Sequence, residues 1–272
     1  MKLTDSNYYS REANIQYMST SQFKSFRTCE AAALAELRGE WNRKTTTALQ
    51  VGSYVDSYFS GELEQFKQDH PELFKRDGTL KSEFVTAQKI AERLEQDELA
   101  RMLLSGRNQV IKTGKIAGVW YKAKFDSLLT SKQVEAICKK FPGVRLLVPF
   151  GGPMIVDLKC MKDLETIWND SVQSRVTFVE HYGYDIQGAI YQAIDNRMAP
   201  FVLVAVTKET EPNVETMYIP DNDLKHSLEI VEELSPRYDA IKRGEIAPVG
   251  CGQCAYCRSV KKLTGIKHYK LI

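Results

Sequence analysis

The apolar run Met154-Ile-Val-Asp-Leu-Lys-Cys160 has the character of a strand and carries two charged side chains, Asp157 and Lys159. Side chains along a strand alternate between its two faces, so this carboxylate and this ammonium emerge side by side on one surface. A carboxylate can ligate a hard cation, and a neighbouring lysine can orient or deprotonate a water or neutralise charge on a phosphate. The pair therefore supplies half of a metal-dependent phosphodiesterase site.

The same triplet occurs again as Asp223-Leu-Lys225. It follows Pro220 and opens a predicted helix, 221–242, in which positions i and i+2 do not share a face. The three residues alone therefore indicate a solvated charge pair as readily as a site. Their surroundings have to distinguish the two.

Length and composition predict a globular chain. With 272 residues, of which 43% are hydrophobic, the chain can bury a full core, and we expect one domain with helical additions. No apolar run approaches the ~20 residues that cross a bilayer, and the N-terminus has no apolar signal core, which predicts a cytoplasmic protein without a membrane partner.

The net charge is only +2, but the C-terminal tail is basic, which fits either a nucleic-acid contact or a solvated end. The basic residues of this tail are Arg258, Lys261, Lys262, Lys267 and Lys270.

Hydrophobic periodicity predicts a mostly helical first hundred residues, followed by strands that alternate with helices. After a polar leader, helices are expected at 22–38, with Cys29 inside it, at 48–59 and at 82–104. Strands are expected on both sides of a Thr113-Gly114 turn. The remaining expected elements are a strand at 121–129, a short helix at 131–140, the strand bearing Asp157, a helix at 178–197, strands at 201–206 and 214–219, and the helix at 221–242. This order indicates an α/β (α+β) fold, a central mixed sheet flanked by helices.

Further polar residues accompany Asp157 and Lys159 in the sequence. Asp126 lies on the strand that precedes Asp157, and adjacent strands can bring both carboxylates to one cation. Tyr184, Gln187 and Tyr191 follow at i, i+3 and i+7, which places them on one face of a helix. This face could contact the site or a phosphate, or it could simply pack on the sheet.

Taken in order, these segments resemble the PD-(D/E)XK nuclease superfamily, in the branch that contains RecB-type and lambda-type exonucleases and the RecE-like exodeoxyribonuclease VIII domains of prophages. The resemblance runs from Ser19 to the C-terminus. It implies a single nuclease domain, 1–272, with a leader (1–18), a helical region (19–106), a restriction-endonuclease-like core (107–220) and a C-terminal helix, cysteine knuckle and basic tail (221–272). The segments that carry it are Ser19-Thr-Ser-Gln-Phe-Lys-Ser-Phe-Arg-Thr-Cys29, Gly52-Ser-Tyr-Val-Asp56, Asp126, Ile155-Val-Asp-Leu-Lys159, and Gln187 with Tyr191.

The resemblance also implies roles for these residues. Asp126, Asp157 and the backbone carbonyl of Leu158 would ligate Mg²⁺ or Mn²⁺, and Lys159 would position the attacking water. Gln187 and Tyr191 would support the site or contact the DNA backbone. Asp56 stands where many relatives have a metal-binding His in the pattern Gly-x-x-x-His, so it is either a substitute ligand or an acid on a helix surface.

The implied activity is that of a metal-dependent exonuclease that hydrolyses DNA at linear duplex ends. By resemblance it would act in phage-type homologous recombination, pass single strands to a phage annealing protein and form a homo-oligomer. Two rivals stay open at this stage. One is a non-catalytic nucleic-acid-binding protein with a cysteine-ligated metal or iron–sulfur site, and the other is a redox iron–sulfur protein.

Three of the six cysteines, Cys251, Cys254 and Cys257, lie within seven residues, a spacing typical of a thiolate metal site. Three ligands are too few for a structural zinc or a cubane cluster, which usually take four. RecB-type nucleases with an iron–sulfur staple use one further Cys in an N-terminal helix, and this resemblance implies Cys29. A [4Fe–4S] cluster is favoured, with Zn²⁺ or an empty thiol set left open. Cys138 and Cys160 are interpreted as spare thiols.

Overall fold

A computed structural model describes residues 1–42, 46–170, 172–195, 198–263, 265–266 and 268. As predicted, the described part of the first hundred residues is mostly helical and the sheet follows. The first seven helices are α1 (Arg11–Gln16), α2 (Thr20–Thr28), α3 (Glu30–Arg38), α4 (Thr47–Ser60), α5 (Leu63–Asp69), α6 (Ser82–Gln96) and α7 (Glu98–Leu103). The later helices are α8 (Ser131–Lys140), α9 (Phe178–Tyr182), α10 (Tyr184–Asp195), α11 (Asp221–Arg243) and α12 (Ala255–Ser259), with 3-10 turns at Pro71–Leu73 and Pro142–Leu146.

The strands form a mixed sheet and a separate hairpin. In the sheet the order is β1-β3-β4-β7-β8, with β2 paired along the outer side of β3. β1–β3 and β4–β7 are parallel pairs, and the other pairs are antiparallel. The strands are β1 (Met18–Ser19), β2 (Arg107–Ile116), β3 (Val119–Leu129), β4 (Met154–Met161), β7 (Phe201–Thr207) and β8 (Val214–Tyr218) in the sheet, and β5 (Ile167–Asn169) and β6 (Ser174–Val176) in the hairpin.

Three helices that periodicity predicts as continuous are each divided in two. The first breaks at Cys29, which is extended (φ −164°), so the prediction that Cys29 lies inside a helix is wrong. The second breaks at Asp97, whose side chain accepts a hydrogen bond from the Ala100 amide and caps α7, an alternative that competes with a continuous helix. The third breaks at Gly183, which takes the left-handed conformation (φ +63°). Its predicted end, residues 196 and 197, lies outside the described residues.

The predicted turn at Thr113-Gly114 is also wrong, because both residues lie within β2. The strands turn instead at Ala117-Gly118, where both residues have positive φ (+46° and +81°), as a tight hairpin requires. Gly114 serves another purpose. A Cβ there would lie 3.0 Å from the Cα of Ile194, so a glycine allows α10 to pack closely on the sheet.

The segment predicted as a polar leader is folded. It contains α1 and β1, and Tyr8, Ala13, Tyr17 and Met18 are buried. Met18 and Ser19 pair with Tyr121 and Lys122 of β3. Residues 1–18 are called the N-terminal strap below.

The sheet separates two apolar clusters. One lies under α2, α3, α10 and α11, and the other under α4, α6, α7 and α8. In the described part of the chain, none of the helices combines the length and the apolar character needed to span a lipid bilayer. The α/β (α+β) fold class, a central mixed sheet flanked by helices, is confirmed.

Candidate active site

The candidate site lies at an interruption in the sheet. On one side, β3 pairs with β1 at Tyr121 and Lys122 and with β4 only from Ser127 onward, so residues 123–126 have no strand partner on that side. Where the backbone pairing of β3 with β4 ends, a side chain makes the next hydrogen bond between the two strands. The Asp126 carboxylate accepts it from the Leu158 amide (2.9 Å). The strands separate beyond this contact and open a cleft.

Asp157 projects from β4 at this cleft and is 1% exposed. Its Oδ1 accepts a hydrogen bond of 2.6 Å from Nε2 of Gln187 on α10. Its Oδ2 lies 2.5 Å from Nζ of Lys159, and this distance is that of an ion pair. The angles at Oδ2 do not meet the geometry of a hydrogen bond. Lys159 Nζ also lies 3.3 Å from the Leu158 carbonyl oxygen. Asp157 and Lys159, which strand alternation places on one surface, therefore contact each other, and Gln187 binds the other oxygen of the carboxylate.

Tyr191 lies one helical turn after Gln187 on α10 and is buried. Its hydroxyl donates a hydrogen bond (3.2 Å) to the carbonyl of Lys124, a β3 residue that pairs with Ile111 of β2. Its ring packs on Phe125, with centroids 4.7 Å apart. This position favours the supporting role over a contact with the DNA backbone.

The carboxylates of the cleft disfavour one another's ionised forms. Burial raises the pKa of Asp56, on α4, to about 7, with Lys159 opposing the shift and Asp157 adding to it. Burial, followed by the charges of Asp157 and Asp56, raises the pKa of Asp126 well above its usual range. Asp56 therefore shares the electrostatic environment of the two sheet carboxylates.

Lys159 responds in the opposite sense to the same charges. Burial disfavours its ammonium, but the carboxylates of Asp157 and Asp126 outweigh burial, so its pKa is raised above the usual value. Lys159 is thus protonated at neutral pH. In this environment it can orient a water or stabilise a negative charge, whereas it is poorly suited to removing a proton.

The oxygen donors of the cleft have the chemistry that a hard divalent cation requires, but in the described structure the three carboxylates do not all lie within 4.8 Å of one another, so a cation would have to draw them together. Carboxylate and carbonyl oxygens are the ligands that Mg²⁺ and Mn²⁺ prefer, and the cleft offers Asp126, Asp157, Asp56 and the Leu158 carbonyl. Burial and neighbouring negative charge raise the pKa values of Asp56 and Asp126, and a divalent cation in the cleft would favour the ionised forms of both.

Basic and polar side chains complete a cavity of about 690 Å³ around these residues. Lys24 of α2 also lines it, and burial together with the charge of Lys159 lowers the pKa of Lys24 to about 8. Lys122 and Lys124 of β3 line the same cavity. The sequence patterns did not indicate these three lysines, because each is brought to the cleft by contacts between distant segments.

The four cysteines of the predicted set meet at one place. The sulfur atoms of Cys29, Cys251, Cys254 and Cys257 all lie within 4.8 Å of one another. Cys29 Sγ is 3.6 Å from that of Cys257 and 3.8 Å from that of Cys254. The break between α2 and α3 places Cys29 there, which is the physical reason why the helix does not continue through it.

Neighbouring contacts fix this cluster. The Cys254 amide donates to Cys251 Sγ (3.3 Å) and the Cys257 amide to Cys254 Sγ (3.4 Å). Backbone hydrogen bonds from Gln253 and Cys254 lower the pKa of Cys251 to about 6, which favours its thiolate. Beside it, Glu30 accepts two hydrogen bonds from Arg237 (2.7 and 2.8 Å) and one from the Val249 amide (2.8 Å). The cluster and these bonds join the start of α3 to the segment after α11.

Comparison with known proteins agrees with the fold. A family model described as a PDDEXK-like domain of unknown function (DUF3799) matches residues 19–138 and 150–260. The chain belongs to this family. Among solved structures it is similar to a protein from Eubacterium rectale named "putative exonuclease", with 39% sequence identity and a TM-score of 0.85 over 98% of this chain and 97% of that chain. No match was found among the curated proteins.

Membership of the PDDEXK-like family confirms the resemblance drawn from the motifs.

The second Asp-Leu-Lys triplet lies on α11, outside the cleft, as expected from its helical context. In the basic tail, Arg258, Lys261 and Lys262 are exposed, and Lys267 and Lys270 lie outside the described residues. Cys138 is buried in the apolar cluster on the α8 side, and Cys160 is half-buried beside it.

Proposed function

We propose that this PDDEXK-like protein is a metal-dependent deoxyribonuclease that degrades DNA from linear duplex ends. One observation carries the proposal: a buried aspartate on β4 is held between Gln187 and Lys159 where β3 and β4 separate, with a second aspartate facing the gap. The family membership and the similarity to a protein named as an exonuclease support it.

In this proposal, Asp126, Asp157 and the Leu158 carbonyl hold Mg²⁺ or Mn²⁺, and Asp56 is a further ligand from α4. A bound cation would activate the attacking water near neutral pH and offset negative charge on the phosphate and the leaving oxygen. The residues of the chain orient the reactants around it.

Each supporting residue has a separate task. Gln187 donates to Oδ1 of Asp157 and so fixes the orientation of this carboxylate, with Lys159 beside Oδ2. Lys159 remains protonated, so it orients the attacking water and offsets negative charge at the phosphate. Tyr191 bonds to the Lys124 carbonyl of β3 and thereby helps to fix Asp126 two residues later.

The test is digestion of linear duplex DNA with Mg²⁺ or Mn²⁺, with covalently closed circular duplex as the control for endonuclease activity. We expect loss of linear DNA only, and a rate for Asp157→Asn that is lower by at least about 100-fold, because losing even a group that orients a metal ligand costs 10- to 100-fold. Asp223→Asn changes the aspartate of the duplicate triplet and should retain the wild-type rate. Digestion by Asp157→Asn at the wild-type rate would contradict the proposal. Binding of DNA without metal-dependent cleavage would favour the non-catalytic rival.

We further propose that the four cysteines bind a metal that staples the two ends of the described fold. A tetrahedral ion with bonds of about 2.3 Å holds its sulfur ligands about 3.8 Å apart, close to the separations of 3.6 and 3.8 Å. A [4Fe–4S] cluster binds each thiolate to a different iron, and these thiols would have to move apart to accept it. The geometry therefore favours Zn²⁺ over the iron–sulfur cluster that the resemblance placed first.

Three finer expectations accompany the nuclease proposal. They are a role in phage-type homologous recombination, transfer of single strands to a phage annealing protein, and a homo-oligomeric assembly. All three stay predictions of the family resemblance, as does the cytoplasmic location predicted from the sequence.

A further inference from the structure

The N-terminal strap precedes the part of the chain that the family model matches, yet it forms one wall of the catalytic cleft. Tyr8, Tyr9 and Asn14 of the strap line the same cavity as Asp126 and Asp157. The proposed catalytic set comes from β3, β4, α4 and α10, so it leaves these strap residues without a role.

The strap is held firmly against the sheet. Lys122, which is 1% exposed, donates to the Tyr8 carbonyl and to Oδ1 of Asn14 (2.8 Å). Lys242 of α11 donates to the Tyr17 carbonyl (2.8 Å). Two lysines with buried stems thus bond to strap oxygens, and β1 adds ladder hydrogen bonds to β3. A segment anchored in this way can hold a side chain in a defined position.

The side chain that it presents is Tyr9. Tyr8 is 6% exposed, whereas its neighbour Tyr9 is 73% exposed even though it lines the cavity. The two rings meet edge to face, with centroids 4.9 Å apart and an interplanar angle of 83°. Buried Tyr8 therefore braces one edge of the Tyr9 ring, while most of that ring remains open to solvent at the mouth of the cleft.

Charge beside Tyr9 suits a nucleotide. Lys124 Nζ lies 5.9 Å from the centre of the Tyr9 ring and 3.1 Å from the Asp5 carboxylate of the strap. An aromatic face next to an ammonium is the combination that binds unpaired nucleotides, with the base on the ring and the phosphate near the cation. A cavity of about 690 Å³ lies within the size range of ligand sites, so it has room for a nucleotide at the end of a strand.

We propose that the strap holds Tyr9 as a stacking platform for an unpaired base of the DNA strand that enters the cleft. This inference rests on the proposed nuclease function and extends it, because it makes the end of a single strand the species that the cleft binds. Tyr9 is then a substrate-positioning residue that separates the strand to be cut from its complement.

The test uses short single-stranded oligonucleotides with 2-aminopurine at the terminal position, in buffer without added Mg²⁺ or Mn²⁺ so that the DNA is not consumed. Stacking on Tyr9 should quench the fluorescence of the wild-type complex. Since stacking contributes ~1–3 kcal/mol per base, Tyr9→Ala should weaken binding on the order of 5- to 150-fold and abolish the quenching. Tyr9→Phe keeps the ring and should bind within about twofold of wild type.

Tyr218 on β8 provides the matched control, because it is 53% exposed and lies outside the cleft. Tyr218→Ala should bind and quench as wild type does. Wild-type quenching and affinity in Tyr9→Ala would overturn the inference, and so would a loss in Tyr9→Phe as large as in Tyr9→Ala. With Mg²⁺ or Mn²⁺, Tyr9→Ala should raise KM with little change in kcat. Absence of digestion by the wild type would contradict the nuclease proposal, while the fluorescence result would still report on Tyr9.

Discussion

The close approach of α10 to the sheet can be tested at Gly188, which follows Gln187. A Cβ at this position would lie 2.6 Å from Cδ1 of Phe201 and 2.8 Å from Cδ2 of Leu224. Carbon atoms in a packed core prefer separations of about 3.5–4.0 Å, so Gly188→Ala requires a shift of about 1 Å or a distortion of both neighbours. Such overpacking typically costs ~1–3 kcal/mol.

The same substitution also changes helix propensity, so a control is needed. Gly52 lies within α4, and a Cβ there would meet no atom within 4 Å. Gly52→Ala should therefore gain only the ~0.5–1 kcal/mol expected for alanine in a helix interior. The free energy of unfolding should differ between the two variants by ~1–3 kcal/mol, with Gly188→Ala the less stable.

Urea unfolding of the two variants with a shared m-value measures that difference. A shift of about 1 Å in α10 would also stretch the hydrogen bond between Gln187 and Asp157 from 2.6 Å to near the limit of such bonds. Misplacement of that size can lower a catalytic rate on the order of 100-fold, so Gly188→Ala should digest linear DNA slowly while remaining folded. Equal stability of Gly188→Ala and Gly52→Ala would refute the packing argument.

Three further results are expected. Because the pKa of Asp56 is raised from 3.8 to about 7 in the fold, the metal-free protein should lose the contribution of Asp56 to stability as pH rises from about 4 to about 7, with no further loss from this group at higher pH. Thermal unfolding at a series of pH values should show that Asp56→Asn reduces the slope in that range. Cys254→Ser should lose the bound metal and have a lower melting temperature, whereas the control Cys138→Ser should keep the metal. Elemental analysis distinguishes zinc from iron. An unchanged metal content in Cys254→Ser would contradict the proposed four-cysteine metal site. Lys122→Met removes the donor to Tyr8, so hydrogen exchange in the strap should accelerate without global unfolding, and unchanged exchange would contradict its anchoring role.

The parts of the site that follow from local pattern could be predicted from the sequence. Alternation along β4 places Asp157 and Lys159 on one surface, and helical spacing places Gln187 and Tyr191 on one face of α10. These relations need only the geometry of a single element. The contact of Asp126 with the Leu158 amide could be anticipated only as a pairing of neighbouring strands.

What the patterns did not predict depends on contacts between distant segments. The break at Cys29 arises from a sulfur cluster whose other members come more than 200 residues later. The strap has a polar composition, and its burial depends on pairing with β3 about 100 residues away. The wrong turn at Gly114 has the same origin, since its glycine accommodates Ile194 rather than a turn. Local propensity contains no information about such partners.

The position of the cysteine cluster has a consequence for the order of assembly. Cys29 leaves the ribosome early, but its three partners emerge only after the strands and helices that carry Asp126, Asp157 and Gln187 have been made. The nuclease core can therefore form before the cluster can close. Shortage of the metal in a growing cell would then yield chains with a formed cleft and a loose segment after α11, and proteases would attack that segment first. Metal supply would in this way set how long each molecule survives rather than whether its cleft forms.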